Sequence, residues 1–570
     1  MKTITKLTLA ILCLTLCVFL AVSCGKNVTE DEDVKPDDEV SILSAPDQEA
    51  VDGYLTADIA IPADKADSYD SFALRVYYGD NLISETVLAA DAKEVNALTT
   101  YGRLDLKLVG INGDSEEEIA SQKVAVYADE YNFASLNGTF PVVYFTLDMY
   151  SMGEDAQPAA FTESTKGLPI MKDVPTFVSL ERVKAYSWED LPENVYPLPM
   201  LSEEEVNTID FHGNNEKMAA YIKELYEINP DSFFNFYCVD NYAELVLRFF
   251  TAQNIPDDSF RATLISDGTA TAVNFQLAFE GEDASEVFKK MSDEWSRIKA
   301  AAKNGDEDFL ENVYLGNEDY SILSMYPMVM AAVEDNIQLW VSRDLFTNLT
   351  PSQDVKNVIA TLKFTGDLKI FGINDMLSIL DEKQQAHLKT LFHFDGQMFD
   401  GTPEGKETLV IIGSSPAGES SERGDLEAFL NVLDLEYTDK YTLYYKGHPG
   451  YPVELDPTKG ELFEKTGLIN LEASIAAELI MFYCPDITLA GWGSTTFKSV
   501  QEGKFLVLFN YSKAAGIEYA TAQGYPELPE AFYHVEEIGG KNYVIVEYRD
   551  NDTVKYFDMT AGAFVSAPNA

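Results

Sequence analysis

Basic residues are scarce in this chain. Lysine and arginine together number 41 against 95 aspartates and glutamates, a formal charge of −54 at pH 7. Such a surface repels nucleic acid and anionic membranes, so functions built on broad basic patches are excluded. A small anionic ligand is not, because a few local donors outweigh distant, screened charge. Cysteine is scarcer still: of five, Cys13, Cys17 and Cys24 fall at the N-terminus, leaving Cys238 and Cys484 for the rest. Two are too few for a disulfide framework or the usual zinc site, and their apolar surroundings point to buried, inert thiols. No Walker loop and no internal repeat is visible. The acidic runs Glu30–Asp33 and Asp306–Asp308 read as solvated acid, so no metal site is expected.

What is present is the apolar content of a globular protein, 46% hydrophobic and 12% aromatic over 570 residues, enough for about three domains. Lys2 and Lys6 precede an apolar run from Leu7 to Val22, and Ala21-Val22-Ser23-Cys24 resembles a bacterial lipobox. Residues 1–23 are therefore read as a lipoprotein signal peptide, with a plain cleaved signal as the other reading. Lipid on Cys24 would anchor the chain without a spanning helix. Residues 24–39 make an acidic tether.

From 40 to 130, short alternating segments such as LTADIAI, FALRVYY and RLDLKLVGI are separated by Asp, Gly, Asn and Ser. They suggest an immunoglobulin-like β-sandwich acting as a spacer or accessory module. From Thr139 the pattern becomes α/β. PVVYFTL, FFNFYCV and ATLISDG read as buried parallel strands, with helices at Asn215–Ile228 and Ala243–Ala252. Ala284 to Phe394 reads as mostly helical, with Val287, Met291, Trp295 and Ile298 on one packed face. TLVIIGSS, KYTLYYKG, DITLAG and FLVLF then give a second α/β sheet, and residues 511–570 remain of uncertain packing. The expected architecture is two facing Rossmann-like domains, 139–400 and 401–510, with a cleft between their strand ends.

The chemistry concentrates between Leu443 and Phe497. There a strand ends in Lys446-Gly447-His448-Pro449, an apolar helix carries Glu478, and Gly491-Trp492-Gly493 opens a helix at Ser494, Thr495 and Thr496. A cation and an imidazole on one strand end, with bare amides and hydroxyls on the next, make a phosphate-sized site. Each residue also has a plainer reading: a capped turn histidine, a simple N-cap at Ser494, a cap or ion pair for Glu478. Asp267, at the end of ATLIS, could take a proton from an acceptor hydroxyl or could sit in an ordinary Asp-Gly turn.

Together these segments resemble the bacterial β-galactoside sialyltransferases, glycosyltransferase family 80. VVYFTLDMYS, LISDGTATAV, TLVIIGSS, YYKGHPG, AELIMF and AGWGSTTFKSV occur in the family's order over roughly Thr139 to Phe509. The resemblance implies the GT-B architecture and a CMP-sialic acid co-substrate. It implies a single inverting displacement onto a galactoside glycan, without metal or other cofactor. Asp267 matches the general base and His448 the histidine at the donor phosphate. Ser494 and Thr495 match the paired phosphate hydroxyls, with Thr for a usual second Ser. Glu478 matches the ribose carboxylate, Lys446 and Pro449 line the nucleotide pocket, and Gly413 and Ser414 match a donor-side loop. Two departures stand out: the loop PAGESS lacks the family's acceptor-side tryptophan, and GYP after Pro449 lacks a basic residue. Another CMP-activated nonulosonate or Kdo-like donor, or a surface lipoprotein that binds glycans without turnover, are the alternatives. The expected location is the cell envelope, at the outer membrane, held by the lipid anchor alone.

Overall fold

The computed structural model describes residues 40–51, 53–137, 141–143, 145–146, 174–181, 195–202, 205, 211–266, 284–306, 326–341, 368–370, 377–378, 380–394, 396–413, 423–448, 457–473 and 475–568. The signal, the tether, Cys24, Asp267, Ser414 and Pro449 lie outside them. Among the described residues no helix is long and apolar enough to cross a membrane.

The first eight strands are β1 (Ser41–Leu43), β2 (Asp47–Glu49), β3 (Tyr54–Ala60), β4 (Ser71–Tyr78), β5 (Asn81–Leu88), β6 (Glu94–Leu98), β7 (Gly102–Asn112) and β8 (Ser115–Tyr127). They form two sheets, β1-β3-β6 and β2-β8-β7-β4-β5. Their alternation of buried and exposed residues puts Leu55, Ala57 and Ile59 of one sheet in the same core as Leu104, Leu106 and Leu108 of the other.

The next sheet comprises β9 (Glu130–Asn137), β10 (Thr176–Glu181), β11 (Val195–Pro197), β12 (Phe233–Val239), β13 (Phe260–Ile265), β14 (Ile337–Val341) and β15 (Leu368–Ile370). All pairs are parallel, in the order β11-β10-β9-β12-β13-β14-β15. Counted from its own first strand, this is the doubly wound order, which reverses between β9 and β12. Helices α1 (Phe211–Ile228), α2 (Ala284–Asn304) and α3 (Tyr326–Val333) cover one face. Met291, Trp295 and Ile298 of α2 are buried as the periodicity implied, and Trp295 Nε1 donates to Glu334 at 2.8 Å.

Three readings need correction here. PVVYFTL is not a strand: 141–143 and 145–146 are helical, and Thr146 Oγ1 donates back to Val142 O at 2.8 Å. Pro141 suits a first helical turn, and a short apolar run does not by itself distinguish buried strand from buried helix. The opening strand is EYNFASLN, whose polar residues look like a linker but are buried in pairs. Asn132 Nδ2 donates to Thr176 Oγ1 at 3.0 Å and Ser135 Oγ to Asn215 Oδ1 at 2.6 Å. The stretch from Ala284 to Phe394 also holds two strands, β14 and β15, and Ala243–Ala252 is a mixed 3-10, α and π segment rather than one α-helix.

After α4 (Glu382–Leu391), capped by an Asp381–Gln384 capping box, the second sheet begins. Its parallel strands are β16 (Glu407–Ile412), β17 (Tyr441–Lys446), β18 (Ile469–Leu471), β19 (Thr488–Gly491), β20 (Phe505–Phe509) and β21 (Ala531–Ile538). Helices α5 (Arg423–Tyr437), α6 (Pro457–Thr466), α7 (Ala477–Tyr483) and α8 (Lys513–Gln523) connect them. The order β18-β17-β16-β19-β20-β21 repeats the winding of the first sheet, and antiparallel β22 (Lys541–Tyr548), β23 (Val554–Asp558) and β24 (Ala563–Val565) extend its edge. Residues 511–570, unplaced by pattern, thus complete this sheet.

Both parallel sheets bury both faces, and period-2 alternation sends neighbouring residues into different cores. Phe133, Phe236 and Leu264 pack with the sandwich and α1–α3. Their neighbours Ala134, Tyr237 and Ile265 pack in a core shared with Val410, Ile412 and Leu479 of the second sheet and α7. The sandwich is accordingly no detachable spacer. Tyr221 OH of α1 donates to Tyr101 O at 2.8 Å, Tyr78 OH to Glu224 Oε2 at 2.8 Å, and the Tyr101 ring meets Tyr131 edge-on at 5.5 Å.

A chain lacking residues 1–128 would expose Tyr131, Phe177 and Tyr221, each worth about 2 kcal/mol when buried. It is expected to be insoluble or to unfold at clearly lower denaturant than the chain from Val40. An unchanged unfolding midpoint would show that the shared core is dispensable.

Candidate functional site

The site forms where β16, β17 and β19 end at one level. Ile412 pairs with both Lys446 and Gly491 in register, so Gly413, Gly447 and Trp492 leave the sheet side by side. This is the switch point of the second sheet, between its first and fourth strands, where such sheets bind ligands. Gly413 N–H donates to Lys446 O at 2.9 Å and Trp492 N–H to Ile412 O at 3.3 Å. Gly491 has φ +140°, and a Cβ there would lie 2.2 Å from Ile412 O. Only glycine permits so close an approach at that backbone angle.

Lys446 is turned inward rather than offered as a surface cation, which corrects the sequence reading. It is 2% exposed, and its Nζ donates to the carbonyls of Gly447 at 2.8 Å and Ala473 at 2.7 Å. Burial lowers its pKa to about 8, against the opposing pull of Glu478 and Glu472. Its ammonium ties the His448 turn to the loop before α7. His448 itself is exposed at the sheet edge.

Glu478 stands in the first turn of α7, a seven-residue helix, and is 8% exposed. Burial raises its pKa; its own backbone N–H, the Thr496 hydroxyl and the Lys446 charge pull the other way. Thr496 Oγ1 donates to Glu478 Oε1 at 3.2 Å. The helix expected at Ser494 is a five-residue 3-10 turn, Thr495–Ser499. So short a turn sums little dipole, and its amides are not bare as the sequence suggested: Ser494 N–H donates to Tyr525 OH and Thr496 N–H to Ser494 Oγ. Ser494 caps it, its Oγ accepting from Thr496 N–H at 3.2 Å, and both Ser494 and Thr495 are half-buried. Lys446, Glu478 and Ser494–Thr496 therefore meet on one edge with Gly413 and His448. Whether Asp267, Ser414 and Pro449 join them falls outside the described residues.

No family model and no curated protein matches this sequence. Among solved structures, the 2,6-sialyltransferase of Photobacterium sp. JT-ISH-224, in a ternary complex with CMP and lactose, aligns at TM-score 0.50. The match has 12% identity and covers 87% of this chain and 97% of that one. The chain shares that sialyltransferase's fold. The sialyltransferase of Photobacterium damsela aligns over 86% of this chain and 99% of its own, at 14% identity and TM-score 0.48. Two residues of the candidate site were given no role from the sequence. Thr496 was visible as the third hydroxyl of Ser494-Thr495-Thr496. Tyr525 was not; its hydroxyl accepts from Ser494 N–H at 3.1 Å and donates to Ser494 O at 2.8 Å, from a stretch with no local pattern.

Of the two remaining cysteines, Cys238 is fully buried as expected and burial raises its pKa; Cys484 is only half-buried rather than a core thiol, and burial raises its pKa as well. Among the described residues no three His, Cys, Asp or Glu side chains are placed to hold a metal ion.

Lys446 holds its proton less tightly folded than unfolded, with a pKa of about 8 against 10.5. Its contribution to stability therefore rises as pH climbs through that window. The difference in unfolding free energy, wild type minus Lys446→Met, is expected to grow between pH 8 and 10.5 in denaturant titrations. A flat difference would place the ammonium in water.

Proposed function

We propose that the protein is an inverting sialyltransferase, moving sialic acid from CMP-sialic acid to a galactoside-terminated glycan without a metal cofactor. The observation that carries this reading is that the strand ends leading to His448 and to Ser494–Thr495 lie side by side at one switch point, with Glu478 bonded to Thr496, on the family's own order of motifs. The fold shared with the CMP- and lactose-bound 2,6-sialyltransferase supports it. So do two doubly wound sheets sharing a core, the arrangement of a GT-B enzyme.

In this reading Asp267 takes the proton of the acceptor hydroxyl as its oxygen attacks the anomeric carbon. The bond from that carbon to the phosphate oxygen breaks, and CMP departs with the electron pair. His448 and the hydroxyls of Ser494 and Thr495 donate to the phosphate as its charge grows. Glu478 binds the ribose diol, held in place by Thr496. Gly413 and Ser414 form the donor-side loop, and Pro449 lines the nucleotide pocket, with Lys446 beneath it as a tie. We read the N-terminal module as immunoglobulin-like, supported by its split of strands into β1-β3-β6 and β2-β8-β7-β4-β5. We further propose export as a lipoprotein anchored through Cys24. The missing acceptor-side tryptophan in the PAGESS loop, 416–421, leaves the acceptor less constrained than the donor.

The deciding experiment is incubation with CMP-sialic acid, lactose and EDTA, followed by mass spectrometry for CMP and sialyllactose. Sialyllactose in EDTA is the expected result. CMP without sialyllactose would move the acceptor elsewhere, and no binding or turnover would leave only the fold in common. Asp267→Ala is expected to lose about 10²–10⁴-fold in rate while keeping its affinity for CMP. Loss of CMP binding instead would make Asp267 a donor ligand.

A further inference from the structure

The C-terminal stretch reaches into the candidate site. Ser512 caps α8, its Oγ accepting from Ala515 N–H at 3.4 Å, and Gly524 ends the helix with φ 70°. Gly516 lets the helix lie against β21, because a Cβ there would sit 2.3 Å from the buried Phe532 ring. That path lines up three tyrosines beside the turn at Ser494. The rings of Tyr511 and Tyr519 stack at 4.6 Å, and Tyr519 meets Tyr525 edge-on at 6.0 Å. The Tyr525 ring is wedged against Phe497 at 5.7 Å and Phe505 at 6.1 Å, and the residue is 8% exposed.

Its hydroxyl makes an uncommon pair of contacts. It accepts from Ser494 N–H at 3.1 Å and donates to Ser494 O at 2.8 Å, so one phenol engages both backbone polar groups of one residue. Ser494 is thereby held extended at φ −145° and ψ 147°, between a glycine and the 3-10 turn. Its Oγ accepts from Thr496 N–H at 3.2 Å, a bond that does not use the hydroxyl's own hydrogen, and Thr496 Oγ1 donates to Glu478 at 3.2 Å. The hydrogen bonds run unbroken from Tyr525 through Ser494 and Thr496 to Glu478.

We propose that Tyr525 is a positioning residue of the anion site: by clamping the Ser494 backbone it aims the Ser494 hydroxyl at the donor phosphate. This rests on the donor reading given above. The phenol acts through Ser494 and does not itself contact the phosphate. Without the clamp, Ser494 would be ordered only on binding, and that conformational cost would lower affinity.

The test is Tyr525→Phe in the full chain, which keeps the ring and its packing and removes only the hydroxyl. Calorimetric titrations with CMP, and separately with inorganic pyrophosphate, are run on wild type, Tyr525→Phe, Ser494→Ala and the double variant. Hydrogen exchange across 492–497 and the unfolding midpoint are measured alongside. The expected result is a loss of CMP affinity of about tenfold in Tyr525→Phe, the scale of one or two hydrogen bonds. Exchange should speed up locally while the midpoint barely moves, and Tyr525→Phe should add nothing once Ser494 is alanine. Undiminished affinity overturns the proposal. So does the same loss on the Ser494→Ala background, or a loss accompanied by faster exchange throughout the chain. If wild type binds pyrophosphate but not CMP, and Tyr525→Phe weakens that binding, the nucleotide reading fails and the positioning role stands. If wild type binds neither, both fall.

Discussion

The end of β19 lies so close to the end of β16 that no side chain fits between them. Gly491 accepts this, with a φ of +140° and Ile412 O where its Cβ would be. Because of that contact, the first and fourth strands of the second sheet release their loops side by side. Gly413 and Trp492 leave the sheet together, and the turn at Ser494 lands near Glu478. Remove the contact and the hydroxyls, the buried carboxylate and the histidine turn would have no common edge.

A second layer of polar contacts beneath the edge converts that proximity into fixed geometry. Lys446 ties Gly447 to Ala473, Thr496 ties the 3-10 turn to Glu478, and Tyr525 ties Ser494 to the chain beyond α8. Each group is buried or half-buried and each polar contact has a partner, which is the condition under which burying polar atoms gives rigidity instead of instability. The lowered pKa of Lys446 and the raised pKa of Glu478 are what burial in this layer does to a cation and a carboxylate.

On the opposite side, the first sheet depends on the N-terminal module. The aromatic residues of β9, β10, β12 and α1 pack against one another and against Tyr101 across the module boundary. The module and the sheet thus share one hydrophobic core.

Much of this was legible in one dimension. Parallel strands buried on both faces are mostly near-continuous apolar runs, so TLVII, FFNFYCV and FLVLF announced themselves, and turn-forming glycines marked the strand ends that carry the site. The failures are equally physical. EYNFASLN hid because its buried Asn and Ser are satisfied only by partners tens of residues away. PVVYFTL misled because apolar runs this short suit either structure. Residue order alone carried most of the alternation of elements, the order of the motifs and the acidic charge. Only the tertiary structure decided that Lys446 faces inward, that the sandwich is welded to the first sheet, and that Tyr525 grips Ser494. Those outcomes depend on contacts between residues far apart in the chain, which no local pattern encodes.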